Sequence, residues 1–128
     1  MFKIPISDQI IEDIIVTALE GGSNYWYLIH DEAYQQIKEK TPKKFKGEPL
    51  SIKFFRCIIA GQTLAIHDIE DEDSEALGQI NKASIRKGLE IAANEYPEAL
   101  GEFIAGNGDA NTADVLFQLF VLGEVVYG

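Results

Sequence analysis

Residues 19–30 read LEGGSNYWYLIH, and this stretch decides how the front of the chain folds. Two glycines at residues 21–22 are followed closely by three aromatics at residues 25–27. Glycine adopts positive φ at little cost, so a glycine pair is typical of a helix end. Aromatic and β-branched residues favour strands. The stretch therefore predicts a helix that stops at the glycines and a strand over residues 24–30.

A helix over residues 8–20 is predicted in front of the glycine pair. Its apolar residues recur at the i, i+4 and i+8 spacing of one buried stripe. They are Ile10, Ile11, Ile14, Ile15, Ala18 and Leu19. Ser7 or Asp8 is the predicted N-cap, because a short side-chain oxygen can accept the amide hydrogens of the first turn.

Further helical segments are predicted where a capping residue precedes helical spacing of apolar positions. They are residues 31–40 capped by Asp31, a helix from Asn81 or Ser84 to about Asn94, a short turn from Pro97, and a last helix capped by Thr112 or Asn111. The last helix is apolar on nearly every side, which indicates either central burial or a covering subunit.

Two more strands are predicted in the middle of the chain. LSIKFFRCII, residues 50–59, and QTLAIHDI, residues 62–69, flank the dipeptide AG, which is read as a tight turn. Partial alternation puts one face of each strand inward. With the strand at residues 24–30, the sequence predicts an α+β fold. The small antiparallel sheet, of roughly two to four strands, would pack with about four helices.

The composition indicates one globular domain over residues 1–128, with 46% hydrophobic and 25% charged residues. The single cysteine, Cys57, lies in an apolar run and is expected to pack as a small hydrophobe, with no intramolecular disulfide. No apolar stretch reaches the roughly 20 residues that span a bilayer, and the first residues lack the order of a secretory signal. We therefore expect a cytoplasmic protein that does not bind membranes.

The charge is strongly negative and uneven. A net charge of −10 repels phosphate backbones, so direct nucleic-acid binding is not expected. Residues 38–56 carry seven Lys or Arg against two Glu, a local charge of +5. Six acids crowd residues 68–75, in the sequence DIEDEDSE. Such a run is read as a solvated loop, with a protein-docking patch or a cation site as alternatives.

The aromatic residues of the opening stretch are candidates for a ligand-binding wall. In a strand, Tyr25 and Tyr27 would share one face and Trp26 would take the other. One face would belong to the core and the other could line a pocket, beside a Gly-Gly-Ser-Asn turn that exposes backbone amides. Plain structure is the alternative interpretation.

Metal and catalytic sites find little support in the sequence. The segment GNGDANTAD, residues 106–114, resembles a calcium loop locally, but it lacks the sixth-position glycine, and Phe120 stands where the bidentate acid belongs. His30 and His67 each precede an aspartate, which is a weak metal signal. No nucleophile motif accompanies them. We therefore expect no enzyme activity, no metal and no cofactor.

Three segments resemble a family of small, mostly uncharacterised proteins from phages and prophages. They are ALEGGSNYWY (residues 18–27), IRKGLEIAANEYP (85–97) and DANTADVLFQLFVLGEVVYG (109–128), about a third of the chain. The resemblance implies a phage accessory protein that works in the host cytoplasm. Many members of such families act on host immune systems.

The first functional hypothesis is therefore a counter-defence protein that sequesters a small, nucleotide-like ligand. Aromatic stacking with a guanidinium is a usual way to grip a nucleotide. The predicted ligand-binding residues are Asn24, Tyr25, Trp26, Lys82, Arg86, Asp114 and Gln118. For Lys82 and Arg86, which share a helical face, pairing with the acidic run is the alternative.

Two other classes of function remain open. One is an inhibitor that uses the acidic run to bind a basic surface of a host protein. The other is a homo-oligomeric structural protein that assembles through its apolar last helix.

Overall fold

The computed structural model describes residues 6–71 and 73–128. These residues contain six α-helices: α1 (Asp8–Thr17), α2 (Asp31–Lys40), α3 (Leu50–Ile59), α4 (Lys82–Glu95), α5 (Pro97–Ile104) and α6 (Ala110–Leu122). Three strands, β1 (Tyr27–Leu28), β2 (Leu64–Asp68) and β3 (Gly78–Ile80), form an antiparallel sheet in that order. The predicted single-domain α+β class is confirmed, with more helices than expected.

The last helix, α6, lies at the centre of the fold. It packs against α1, α4, α5 and β3. Its buried apolar side chains are Ala113, Leu116, Phe117, Leu119, Phe120 and Val121. The apolar pattern that could have indicated a covering subunit is thus explained by burial inside one chain, and α6 presents no broad apolar face for assembly.

The start of α6 differs from the prediction. Its N-cap is Asp109, whose side chain accepts a hydrogen bond from the Thr112 amide at 2.9 Å. Thr112 Oγ1 in turn accepts from the Asp109 amide at 2.9 Å. Thr112 therefore belongs to the cap as the reciprocal third residue, and neither it nor Asn111 is the N-cap itself.

The front of the chain follows the prediction more closely. Ser7 caps α1 by accepting from the Ile10 amide at 3.2 Å. The helix continues beyond Thr17 as a π-helical turn, Ala18–Gly22, and ends at the glycines. A Cβ at Gly22 would collide with the backbone carbonyl of Ala110. The glycine therefore allows this turn to lie directly against the start of α6.

The strand predicted at residues 50–59 is wrong, because this run forms α3. Its buried residues recur three and four positions apart, on one helical face: Ser51, Phe54, Phe55, Cys57 and Ile58. Gly61 has φ +104 and follows the helix end, so the dipeptide AG is not a hairpin turn. A second correction concerns α2, whose N-cap is His30, with Asp31 as its first helical residue.

The sheet is small and irregular. The strand predicted at residues 62–69 is confirmed as β2, and it pairs with β1 through Tyr27 opposite Asp68. The strand predicted at 24–30 shrinks to two residues. β3 was not predicted, and it pairs with β2 through Leu64 opposite Ile80.

The helices predicted before and after Pro97 are confirmed as α4 and α5. Asn81 is the N-cap of α4, and its side chain accepts from the Ser84 amide at 2.8 Å. No helix in the part of the chain that the structure describes combines the length and apolar character needed to cross a membrane.

Candidate functional site

A buried carboxylate, Asp114, joins the aromatic stretch to α6. Its Oδ1 accepts hydrogen bonds from Ser23 Oγ and Trp26 Nε1, both at 2.8 Å. Its Oδ2 accepts from Gln118 Nε2 at 3.1 Å and from the hydroxyl of Tyr25. An ionised carboxylate offers about four lone-pair sites and no hydrogen. Asp114, only 8% exposed, is therefore satisfied by four donors from its own chain.

A turn between the π-helical turn and β1 brings these donors together. The amides of Trp26 and Tyr27 both donate to the Ser23 carbonyl, at 3.1 and 3.3 Å. Because strand geometry begins only at Tyr27, side chains 25 and 26 do not alternate between two faces. The predicted opposition of Tyr25 and Trp26 is therefore wrong, since both reach Asp114.

A second buried polar side chain, Gln118, fixes the C-terminal segment, residues 125–128. Its Oε1 accepts from the amides of Val126 and Tyr127, at 2.8 and 2.9 Å. Its Nε2 donates to the Tyr127 carbonyl at 3.2 Å. The Tyr127 ring stacks on Trp26, with centroids 5.3 Å apart and planes 12° apart. Asp114 and Gln118, which hydrogen-bond each other on α6, thus hold the turn and the C-terminal segment together.

The phenol of Tyr25 remains a donor at neutral pH. Burial, followed by its hydrogen bond to Asp114, raises the pKa of Tyr25 to about 12. Its ring nevertheless stands 50% exposed. Tyr25 is thus fixed at one end and open to solvent along its side.

The structure brings four of the seven predicted ligand-binding residues together: Tyr25, Trp26, Asp114 and Gln118. Their polar atoms bind one another, and Trp26 is only 2% exposed. Asn24 is exposed beside them. Lys82 and Arg86 are exposed on α4, and no hydrogen bond or ion pair within residues 6–71 and 73–128 joins them to the group.

Ser23 belongs to this network and was not predicted. It is fully buried, and its partner lies 91 residues away along the chain. A contact of that separation leaves no periodic signal in a sequence. The spacing of Asp114 and Gln118, four residues apart on one helical face, was the only local sign of the network.

The network supports an exposed surface, which we call the acidic-apolar face: Tyr25, residues 68–71 and Val126. Three large side chains stand out on it, Tyr25 at 50%, Ile69 at 44% and Val126 at 56% exposure. The Ile69 amide donates to the Trp26 carbonyl at 3.0 Å, which holds the acidic run beside the aromatic turn. Exposed apolar side chains and carboxylates are therefore carried by segments that these hydrogen bonds join.

The acids of this face come from a tight turn after β2. Asp68 Oδ1 accepts from the Glu70 amide at 2.9 Å, and its carbonyl accepts from the Asp71 amide at 3.2 Å. Burial, then the charges of Asp68 and Glu70, raise the pKa of Tyr127. Two acids of the run thus lie close to the C-terminal segment; Glu72, also in the run, falls outside the described residues.

An open cleft of about 300 Å³ lies beside Tyr27. Its lining residues are Leu19, Glu20, Tyr27, Ile29, Pro49, Leu50 and Ser51. Of the predicted aromatic wall, it contains only Tyr27, which had not been assigned a ligand-binding role.

The two histidines of the chain, His30 before α2 and His67 in β2, lie side by side. The rings of His30 and His67 stack with centroids 3.4 Å apart and planes 10° apart. Ring nitrogens bind metals along lone pairs that lie in the ring plane, so two parallel stacked rings cannot both point at one ion. No group of three or more His, Cys, Asp or Glu side chains within the described ranges could hold a metal.

The histidine stack predicts a pH dependence of stability. Burial and the charge of His30 lower the pKa of His67 from its ordinary 6.5, and Glu32 offsets this in part. Between the lowered pKa and 6.5, the unfolded chain binds more protons than the folded one, so the free energy of unfolding rises with pH. This contribution is complete above pH 6.5 and is lost as pH falls.

We expect His67→Gln to flatten this part of the stability profile, measured by urea unfolding across the acidic to neutral range. Gln9→Ala, at an exposed position, serves as the control and should leave the slope of unfolding free energy against pH unchanged. A wild-type slope that His67→Gln leaves unchanged would show that other groups cause the pH dependence.

The thiol of Cys57 offers no reactive centre. Its side chain is fully buried, and burial raises the pKa of the thiol. The thiolate, which is the nucleophilic form, is therefore disfavoured at neutral pH.

Comparisons with known proteins give no family for this chain: no family model, no curated protein and no solved structure matches it.

Proposed function

We propose that this protein is a non-catalytic binding protein that recognises a positively charged surface of another protein through its acidic-apolar face. The observation that carries the proposal is the exposure of Tyr25, Ile69 and Val126 beside the carboxylates of residues 68–71. Apolar and aromatic side chains at the centre, with charges around them, are the usual anatomy of a protein interface.

The face is fixed before any partner arrives. Asp114 holds Tyr25, Gln118 holds Val126, and the Trp26 carbonyl holds Ile69. Ordering a mobile segment costs conformational entropy on binding, and a segment that is already fixed avoids much of that cost. The buried side chains of Asp114 and Gln118 thus hold parts of the recognition surface in place.

The charge selects the kind of partner. A net charge of −10 attracts basic proteins and speeds their encounter. The resemblance to phage accessory proteins supports a partner in the host cytoplasm, with inhibition of a defence protein as the outcome. Sequestration of a nucleotide-like ligand has less support, because the side chains of Trp26 and Gln118 already donate hydrogen bonds to Asp114.

The apolar part of the face is tested by binding from bacterial extract. The double variant Ile69→Ala, Val126→Ala should lose a retained basic protein, with affinity for the purified partner reduced about tenfold or more. Ile104, 45% exposed on α5, supplies the matched control Ile104→Ala, which should bind normally. Mass spectrometry of the retained proteins and titration of the purified partner provide the measurements.

The acidic part is tested with two double variants that have the same net charge. Glu70→Gln with Asp71→Asn should weaken binding about tenfold, whereas Glu98→Gln with Glu102→Gln, on α5, should change it little. Raising ionic strength from about 0.05 M to 0.5 M should weaken the wild-type complex steeply. A complex that is insensitive to salt and to both pairs, or the absence of any retained protein, would overturn the proposal.

A further inference from the structure

The cleft beside Tyr27 has a one-sided hydrogen-bonding chemistry. Ser51 Oγ donates its hydrogen to Glu20 Oε2 at 2.5 Å, and Tyr27 Oη donates its hydrogen to the Leu19 carbonyl at 2.8 Å. Each hydroxyl has only one hydrogen, so both are left as acceptors. Glu20 is a carboxylate and accepts only. The polar side chains that line the cleft can therefore only accept further hydrogen bonds, and a ligand there must supply the donors.

The side chain of Glu20 meets the start of a helix. It lies against the first turn of α3, where Ser51 is the second residue and the helix dipole is positive. Burial, then the charges of Tyr34 and Glu20, raise the pKa of Tyr27 to about 12, so its phenol keeps its hydrogen. Within the described residues, Glu20 has no ion-pair partner.

The rest of the cleft is apolar. Leu19, Ile29, Pro49 and Leu50 line it, next to the solvent-exposed Glu20. A volume of about 300 Å³ is at the low end for small-molecule sites and is ample for one long side chain. Lysine and arginine bury their methylene stems on apolar surface while their charged ends reach polar groups.

We propose that this cleft receives the ammonium or guanidinium end of a lysine or arginine side chain from the partner protein, with Glu20 as its counter-charge. The inference rests on the proposed function, because it assumes the same basic partner. The two sites adjoin: Tyr27 of the cleft pairs across the sheet with Asp68 of the acidic-apolar face. One basic surface can therefore contact the face and insert one side chain into the cleft.

The test uses small probes on the full chain. N-acetyl-lysine methylamide and N-acetyl-arginine methylamide carry the cation, and N-acetyl-norleucine methylamide has the lysine stem without it. We expect the cationic probes to shift the amide NMR signals of Leu19, Glu20 and Ile29, with the norleucine probe at least about fivefold weaker. Glu20→Gln, which can still accept from Ser51, should weaken the lysine probe about tenfold. Glu90→Gln, at an exposed position of α4, should not.

The outcomes separate the two proposals. The Ile69→Ala, Val126→Ala variant should bind the lysine probe like the wild type, because it leaves the cleft intact. If the lysine and norleucine probes bind alike, or Glu20→Gln has no effect, the cleft inference is overturned while the acidic-apolar face stands. If the probes behave as expected and the face variants keep full partner binding, the proposed function fails.

Discussion

Replacing Asp114 by alanine is expected to lower the free energy of unfolding by about 3–5 kcal/mol. The substitution removes the acceptor of four donors, and Ser23, Trp26 and Gln118 are almost entirely buried. Each buried donor left without a partner costs about 1–3 kcal/mol, and water entering the space recovers part of it. Urea unfolding followed by the fluorescence of Trp26, the only tryptophan, measures the loss directly.

Two further variants sharpen this prediction. Asp114→Asn keeps one acceptor oxygen and should lose about half as much. Asp13→Ala removes an exposed carboxylate that only accepts from Gln9, so we expect a change within about 0.5 kcal/mol. A loss below about 1 kcal/mol for Asp114→Ala would mean that the network is not a stabilising anchor.

The network also links stability to the proposed function. Asp114 holds Tyr25 of the acidic-apolar face, and Gln118 holds Val126. A destabilised anchor should therefore weaken partner binding even at temperatures where the chain remains folded. The long-range hydrogen bonds of α6 are the reason that residues far apart in sequence form one surface.

The sequence predicted those elements whose signal is local. The N-cap at Ser7, the glycine end of the first helix and the helix after Asn81 each depend on a few neighbouring residues, and each is confirmed. The run at residues 50–59 failed because a short apolar stretch carries signals for both strand and helix. Its length of ten residues and its three- and four-residue spacing of Phe54, Phe55 and Ile58 favoured the helix.

The candidate site was only partly visible in the sequence. The aromatic stretch and Asp114 were both singled out, but nothing in the sequence shows that they hydrogen-bond each other across 88 to 91 residues. The strand β3, with the sequence GQI, is too short for periodicity to reveal. Such features depend on tertiary packing, which pairs groups without regard to their spacing along the chain.

The contact between α4 and α6 provides the second large effect, which we expect from Gly88→Ala. A Cβ at Gly88 would lie 2.7 Å from Phe120 Cδ1 and 2.9 Å from the Leu119 carbonyl oxygen. Since backbone cannot move aside as a side chain can, the two helices must separate, at a cost of about 2–3 kcal/mol. Glycine is otherwise a poor helix residue, so its presence in the middle of α4 is explained by this close approach.

Gly101, in α5, is the matched control because the same added methyl group meets nothing within 4 Å. Gly101→Ala should stabilise the chain by about 0.5–1 kcal/mol through helix propensity and a less flexible unfolded state. The two substitutions are chemically identical and both lie within helices, so the opposite signs isolate packing from propensity. Urea unfolding of both variants measures the difference. Equal effects of the two substitutions would show that α4 and α6 do not approach each other closely at Gly88.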